Sequence, residues 1–201
     1  TPLREELDAW FAKHQIDKAD VPEGAVPVTN PANLNEVIGT LTYHDADDMK
    51  GMLDKAQNAF ESWSTMSVQE RGDILRRTAD ALEANMAELI ALCIKEAGKV
   101  TQDSVDEVRE AVDFCRYYAA RAEELAKDER LSPRGVILCI SPWNFPLAIF
   151  LGQVAAAIVT GNTVIAKPAE QTSLIALRAI ELMIENGLPK NVVQAVIARG
   201  S

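Results

Sequence analysis

Two short stretches hold the side chains best placed for chemistry, SPWNFP (141–146) and KPAEQT (167–172). In the first, Pro142 and Pro146 fix dihedrals on both sides of Trp143, Asn144 and Phe145, at a cost in backbone hydrogen bonds. A side-chain amide held that way suits an oxyanion forming on a carbonyl carbon. The plainer reading of Asn144 is a turn asparagine that satisfies local backbone. In the second stretch, Lys167 closes an apolar run, where a bare ammonium needs a polar partner or solvent. It either binds a ligand or snorkels to water. Glu170 stands three residues on, just before Thr172, which is read as the cap of the next helix. A carboxylate there is favoured by the helix dipole even without a ligand. Trp143 and Phe145 read as core or cleft-wall aromatics.

The elements around these stretches say where they sit. GVILCI (135–140), NTVIAK (162–167) and NVVQAVIA (191–198) read as buried strands, separated by helices over about 146–159 and 172–186. Strand–helix–strand–helix–strand with wholly apolar strands implies a parallel sheet covered on both faces and built by right-handed crossovers. Ligands of such sheets bind beyond the carboxyl ends of the strands, where both stretches fall. Neither GxGxxG nor GxxxxGK[ST] is present. The preceding residues are nearly all helical. An amphipathic helix is expected over 2–17, then a short strand or hairpin in VIGTLTYH. A helix capped by Asp45 follows, with Met49, Met52, Leu53, Ala56, Phe60 and Trp63 on its apolar face. SVQE (67–70) has capping-box spacing, Asn85 with Glu88 repeats the signal, and Gly98 ends that helix as a left-handed cap. A long helix spans about 102–126. The fold class is α/β: an N-terminal mainly helical region, 1–131, then half of a Rossmann-like doubly wound parallel sheet, 132–201.

Composition narrows the functional classes. A net charge of −10 argues against binding nucleic acid or anionic membrane. The longest apolar run, about 145–159, is too short and broken to span a bilayer. Cys93, Cys115 and Cys139 are widely spaced in apolar surroundings, which is neither a disulfide framework nor a metal pattern. They read as inert structural thiols in a reducing, cytoplasmic compartment. His14 and His44 read as surface or capping residues, and no metal is expected.

The stretch SPWNFPLAIFLGQVAAAIVTGNTVIAKPAEQT resembles the aldehyde dehydrogenase superfamily, and the helical half agrees with its N-terminal region. REAVDFCRYYAARAEEL and ISPWNFPLAIFLGQVAAA look closest to the L-glutamate γ-semialdehyde dehydrogenase module of bacterial bifunctional proline-utilization enzymes. The resemblance implies that Asn144 is an oxyanion-hole donor to a cysteine thiohemiacetal. It implies that Lys167 bonds ribose hydroxyls of a nicotinamide cofactor and Glu170 the adenosine ribose. A carboxylate there favours NAD over NADP, and Ser141, Pro142 and Trp143 line the cofactor cleft. Glu110, on the long helix, is assigned a substrate-side role. FAD is expected only if a proline dehydrogenase domain lies outside this chain. The implied reaction is oxidation of the semialdehyde to glutamate by a homo-oligomeric parent. The family's nucleophilic cysteine, general-base glutamate and pyrophosphate turn are expected downstream of Ser201, so this chain reads as an inactive fragment. It is expected to self-associate through an unpaired strand, 191–198, and AKDERLSPRG (126–135) is short for the family's oligomerisation flap. The alternatives are an aldehyde dehydrogenase of another substrate class and a non-catalytic interaction module.

Overall fold

N-cap side chains open the second and third helices in the computed structural model, which describes residues 2–14, 16 and 20–199. Helix α1 (Pro2–Lys13) is shorter than expected. Its end is closed by His14, whose Nδ1 lies 2.9 Å from Trp10 O and whose ring stacks on the Trp10 ring. Positions 15 and 17 of the expected helix lie outside the described residues. A hairpin follows, β1 (Val26–Asn30) and β2 (Asn33–Leu41), antiparallel, with Asn30 Oδ1 accepting from Ala32 N at 2.9 Å in the turn. Helix α2 (Ala46–Thr65) opens on a reciprocal box between Asp45 and Asp48, and α3 (Val68–Ala84) on one between Ser67 and Glu70. Asn85 does not cap α4 (Met86–Ala97). Its Nδ2 donates back to Ala81 O at 2.8 Å, so it ends α3 instead. Gly98 closes α4 at φ 67°, and α5 (Thr101–Leu125) follows.

The second segment runs β3 (Val136–Ile140), α6 (Ala148–Val159), β4 (Thr163–Lys167), α7 (Ser173–Glu185) and β5 (Val193–Ala195). The strands are parallel in the order β3-β4-β5. Ile137, Cys139, Val164, Ala166 and Val193 share a core with α6 and α7. Helix α2 lies on the opposite face, where the Thr163 hydroxyl donates to Ala56 O at 3.0 Å. That cover is incomplete, and it corrects the picture of a wholly buried first strand. Leu138 and Ile140 are 62% and 58% exposed, as are parts of Met49 and Leu53 on the expected apolar face of α2. The third strand keeps only three of its eight expected residues, because Ile197 turns aside to the hairpin. Ile197 N donates to His44 Nδ1 at 3.0 Å, and His44 N donates to Ile197 O at 2.9 Å. His44 is thus a stitch between the two segments rather than a surface residue. So short an edge is a poor template for strand addition.

One hydrophobic cluster extends from Leu7 through Trp63, Leu82, Val112 and Leu151 to Val193. The helical segment therefore holds the strand ends from one side, through a core shared with the sheet.

Candidate functional site

Register brings the two stretches together. Ile140 pairs with Lys167, and Ser141 N donates to Lys167 O at 3.2 Å. Ser141 and Lys167 therefore leave the sheet side by side at its carboxyl end. Ser141 Oγ is buried and has no hydrogen-bond partner among the described residues. Lys167 is half-buried and makes no ion pair among the described residues.

The 141–148 loop is held from the helical segment. Glu107, on α5, is fully buried, and its Oε1 accepts from Leu147 N at 3.0 Å and Ala148 N at 2.9 Å. These are orphan donors at the start of α6, so the helix begins two residues later than Pro146 would suggest. Glu107 Oε2 is bonded to Lys99 Nζ, which also donates to Asn144 O at 3.0 Å and sits 4.4 Å from the centre of the Phe145 ring. Asn144 uses its main-chain carbonyl in this way, while its side-chain amide makes no hydrogen bond among the described residues. The residue is exposed. That removes the turn-asparagine reading: the amide satisfies no local backbone. Trp143 and Phe145 are not core aromatics, being 56% and 41% exposed, and Pro142 is exposed beside them.

The second loop is set by a residue the sequence pattern did not single out. Thr172 does not cap α7, and its Oγ1 is buried without a partner among the described residues. Glu96, from α4, does so: its carboxylate accepts from Leu174 N at 2.7 Å and Ile175 N at 3.0 Å. Burial pushes the Glu96 carboxyl up to about 7 against the pull of those N–H groups. Glu170 opens the 3-10 turn 170–172 and lines, with Glu96, Gln171 and Tyr43, a cavity of about 280 Å³ under the hairpin. Glu110 is exposed on α5, one turn beyond Glu107.

All three thiols are buried. Burial pushes Cys115 up to about 12 and Cys139 up to about 11, and raises Cys93 as well. Among the described residues no group of three His, Cys, Asp or Glu could hold a metal ion, and no helix is long and apolar enough to cross a membrane.

Residues 18–201 match the family model described as Aldehyde dehydrogenase family. The chain belongs to the aldehyde dehydrogenase family. Among its family relatives, the bifunctional protein PutA of Salmonella typhimurium is 42% identical over 198 residues, 98% of this chain and 15% of the relative. The 1-pyrroline-5-carboxylate dehydrogenase of Bacillus licheniformis is 38% identical over 191 residues, 89% of this chain and 37% of that protein. The solved 1-pyrroline-5-carboxylate dehydrogenase from Thermus with bound NAD superposes with a TM-score of 0.87 at 28% identity, covering 97% of this chain and 42% of that one. The chain thus spans well under half the length of these aldehyde dehydrogenase relatives, and it has their fold over the part it spans.

Proposed function

We propose that this chain is the oxyanion-donor and cofactor-holding part of an NAD-dependent dehydrogenase that oxidises L-glutamate γ-semialdehyde, the open form of 1-pyrroline-5-carboxylate, to glutamate. The observation that carries the reading is Asn144: its amide has no partner among the described residues while its main chain is tied down. A donor fixed in advance where charge develops costs no reorganisation during reaction.

The residues at the strand ends fit NAD. Among the described residues Ser141 Oγ is a buried hydroxyl without a partner, beside Lys167, whose ammonium makes no ion pair there, and together they suit ribose hydroxyls. Glu170 is assigned to the adenosine ribose, which favours NAD over NADP. Pro142 and Trp143 form an exposed wall for the same cleft. When bound, the nicotinamide accepts the hydride leaving the substrate carbon. This chain's part is to hold that carbon's oxygen with Asn144 and to present the cofactor. Glu110 is assigned to the aldehyde side. The division into a helical region, 1–131, and the first part of a cofactor domain, 132–201, belongs to the same reading. So do a homo-oligomeric parent, and FAD only where a proline dehydrogenase domain accompanies it. Self-association of the isolated chain is assigned to the edge of β3, beside exposed Leu138 and Ile140, rather than to 191–198.

All three thiols are buried, so we assign the attacking cysteine to residues outside this chain, and the family resemblance assigns the base that activates water there too. The 201-residue chain alone is therefore expected to produce no NADH from the semialdehyde and NAD. In the longer protein, Asn144→Ala is expected to lower kcat about 100- to 1,000-fold with KM nearly unchanged. An unaltered kcat with 1-pyrroline-5-carboxylate would remove Asn144 from the oxyanion hole and the reading with it.

A further inference from the structure

We propose that Lys99 and Glu107 form a charged clamp that positions Asn144, an inference that rests on the oxyanion reading of that residue. Among the described residues, every side-chain hydrogen bond of the pair serves the 141–148 loop or the pair itself. Glu107 Oε1 takes the N–H groups of Leu147 and Ala148, and Oε2 takes the Lys99 ammonium. The ammonium in turn donates to Asn144 O and lies against the Phe145 ring. Glu107 is the buried member of the pair and Lys99 the half-buried one, and taking away the partner of a buried charge is strongly destabilising.

The clamp is fixed from behind. Gly98, at φ 67°, allows Gly98 N to donate to Ile94 O and Lys99 N to Cys93 O, so the main chain of Lys99 is locked to the end of α4. Glu107 stands on the buried stripe of α5 with Ser104, Val108 and Ala111. Two packed helices, α4 and α5, therefore reach one loop through one ion pair. Capping the N–H groups of Leu147 and Ala148 needs only Glu107, and nothing in that role requires the pair to grip Asn144. The grip is on the main chain of Asn144, which leaves its side-chain amide free to point at a ligand. Lys99 and Glu107 are thus positioning residues. They act through Asn144.

The test is a cycle between Lys99→Met and Asn144→Ala in the longer enzyme, with NAD and 1-pyrroline-5-carboxylate. Lys99→Met is expected to lower kcat about tenfold with KM for NAD unchanged, to be partly restored in Lys99→Arg, and to cost nothing further in the Asn144→Ala background. Non-additivity of that kind marks residues acting as a unit. Full activity in folded Lys99→Met, or losses that multiply, would overturn the clamp. If Lys99→Met does not fold, Glu107→Gln replaces it. That variant keeps an acceptor for the two N–H groups and puts an NH2 group, which cannot accept, where Lys99 donates. In the 201-residue chain itself, nitrogen-15 relaxation of Asn144 gives a readout independent of catalysis. Order at Asn144 is expected to fall in the clamp variants, and unchanged order would overturn the inference. Should Asn144→Ala prove harmless while order still falls, the oxyanion reading fails and the mechanical clamp stands.

Discussion

Trp63→Ala is expected to lower the free energy of unfolding by about 3–5 kcal/mol, the range for emptying a large aromatic site in a core. Trp63 is 2% exposed near the end of α2, and its Nε1 donates to Ile158 O at 3.0 Å on the last turn of α6. Arg71 reinforces the same junction. Its Nε donates to Val159 O at 2.9 Å, and its Nη1 to the carbonyls of Trp63 and Met66. Two helix C-termini, each with unmatched carbonyls and a partial negative charge, are joined by one indole and one guanidinium. Removing the indole leaves a cavity between α2 and α6 that the joined helix ends resist closing. Trp63→Phe separates the two contributions. It keeps most of the apolar volume and loses the N–H, so its cost is expected to be about 1 kcal/mol. Urea unfolding of the three proteins decides the matter. An alanine variant within 1 kcal/mol of the original would show that this junction does not hold the helical segment to the sheet.

The sequence made the frame of this molecule readable because local rules and tertiary packing agree over most of it. Asp45, Ser67 and Gly98 end or begin helices through their own side chain or φ, without help from distant residues. The β3-α6-β4-α7-β5 order follows from apolar runs alone. What local rules missed is where a distant carboxylate did the work of a nearby cap. Thr172 looked like the cap of α7, but Glu96 supplies the oxygens from 78 residues away. Glu107 does the same for α6. Neither was invisible. Glu96 follows Leu89, Leu92 and Cys93, and Glu107 falls among Ser104, Val108 and Ala111, each on a buried stripe at helical spacing. An acid on such a stripe is rarely buried without a partner, so its position was the signal. The exposure of Leu138 and Ile140 was less legible, since an apolar strand does not reveal how much of each face its neighbours cover.

Glu96 is also expected to give folding a pH dependence of its own. Its carboxyl is buried at the start of α7, and burial is the dominant influence, disfavouring the charged form. The N–H groups of Ile175, Leu174 and Ser173 oppose it, and the balance lies at about 7, above the ordinary 4.5. In the unfolded chain the same group titrates near that ordinary value. Between the two values the folded protein therefore holds a proton that the unfolded chain has released. The contribution of Glu96 is thus fully present below about 4.5 and is lost as pH rises through about 7. Across that window the change amounts to roughly 3 kcal/mol for this group alone. Glu96→Gln cannot ionise, so it should lack this decline, though it offers one acceptor oxygen where the carboxylate offers two. Urea unfolding at pH 5 and pH 7.5 for both proteins isolates the effect, because other titrating groups cancel in the difference. The original protein is expected to gain on Glu96→Gln as the solution is acidified. Parallel pH profiles would mean that the N–H groups at the start of α7 outweigh burial and keep Glu96 ionised throughout. In that case the turn carrying Glu170 would rest on a permanent charge rather than on a proton exchanged near neutrality.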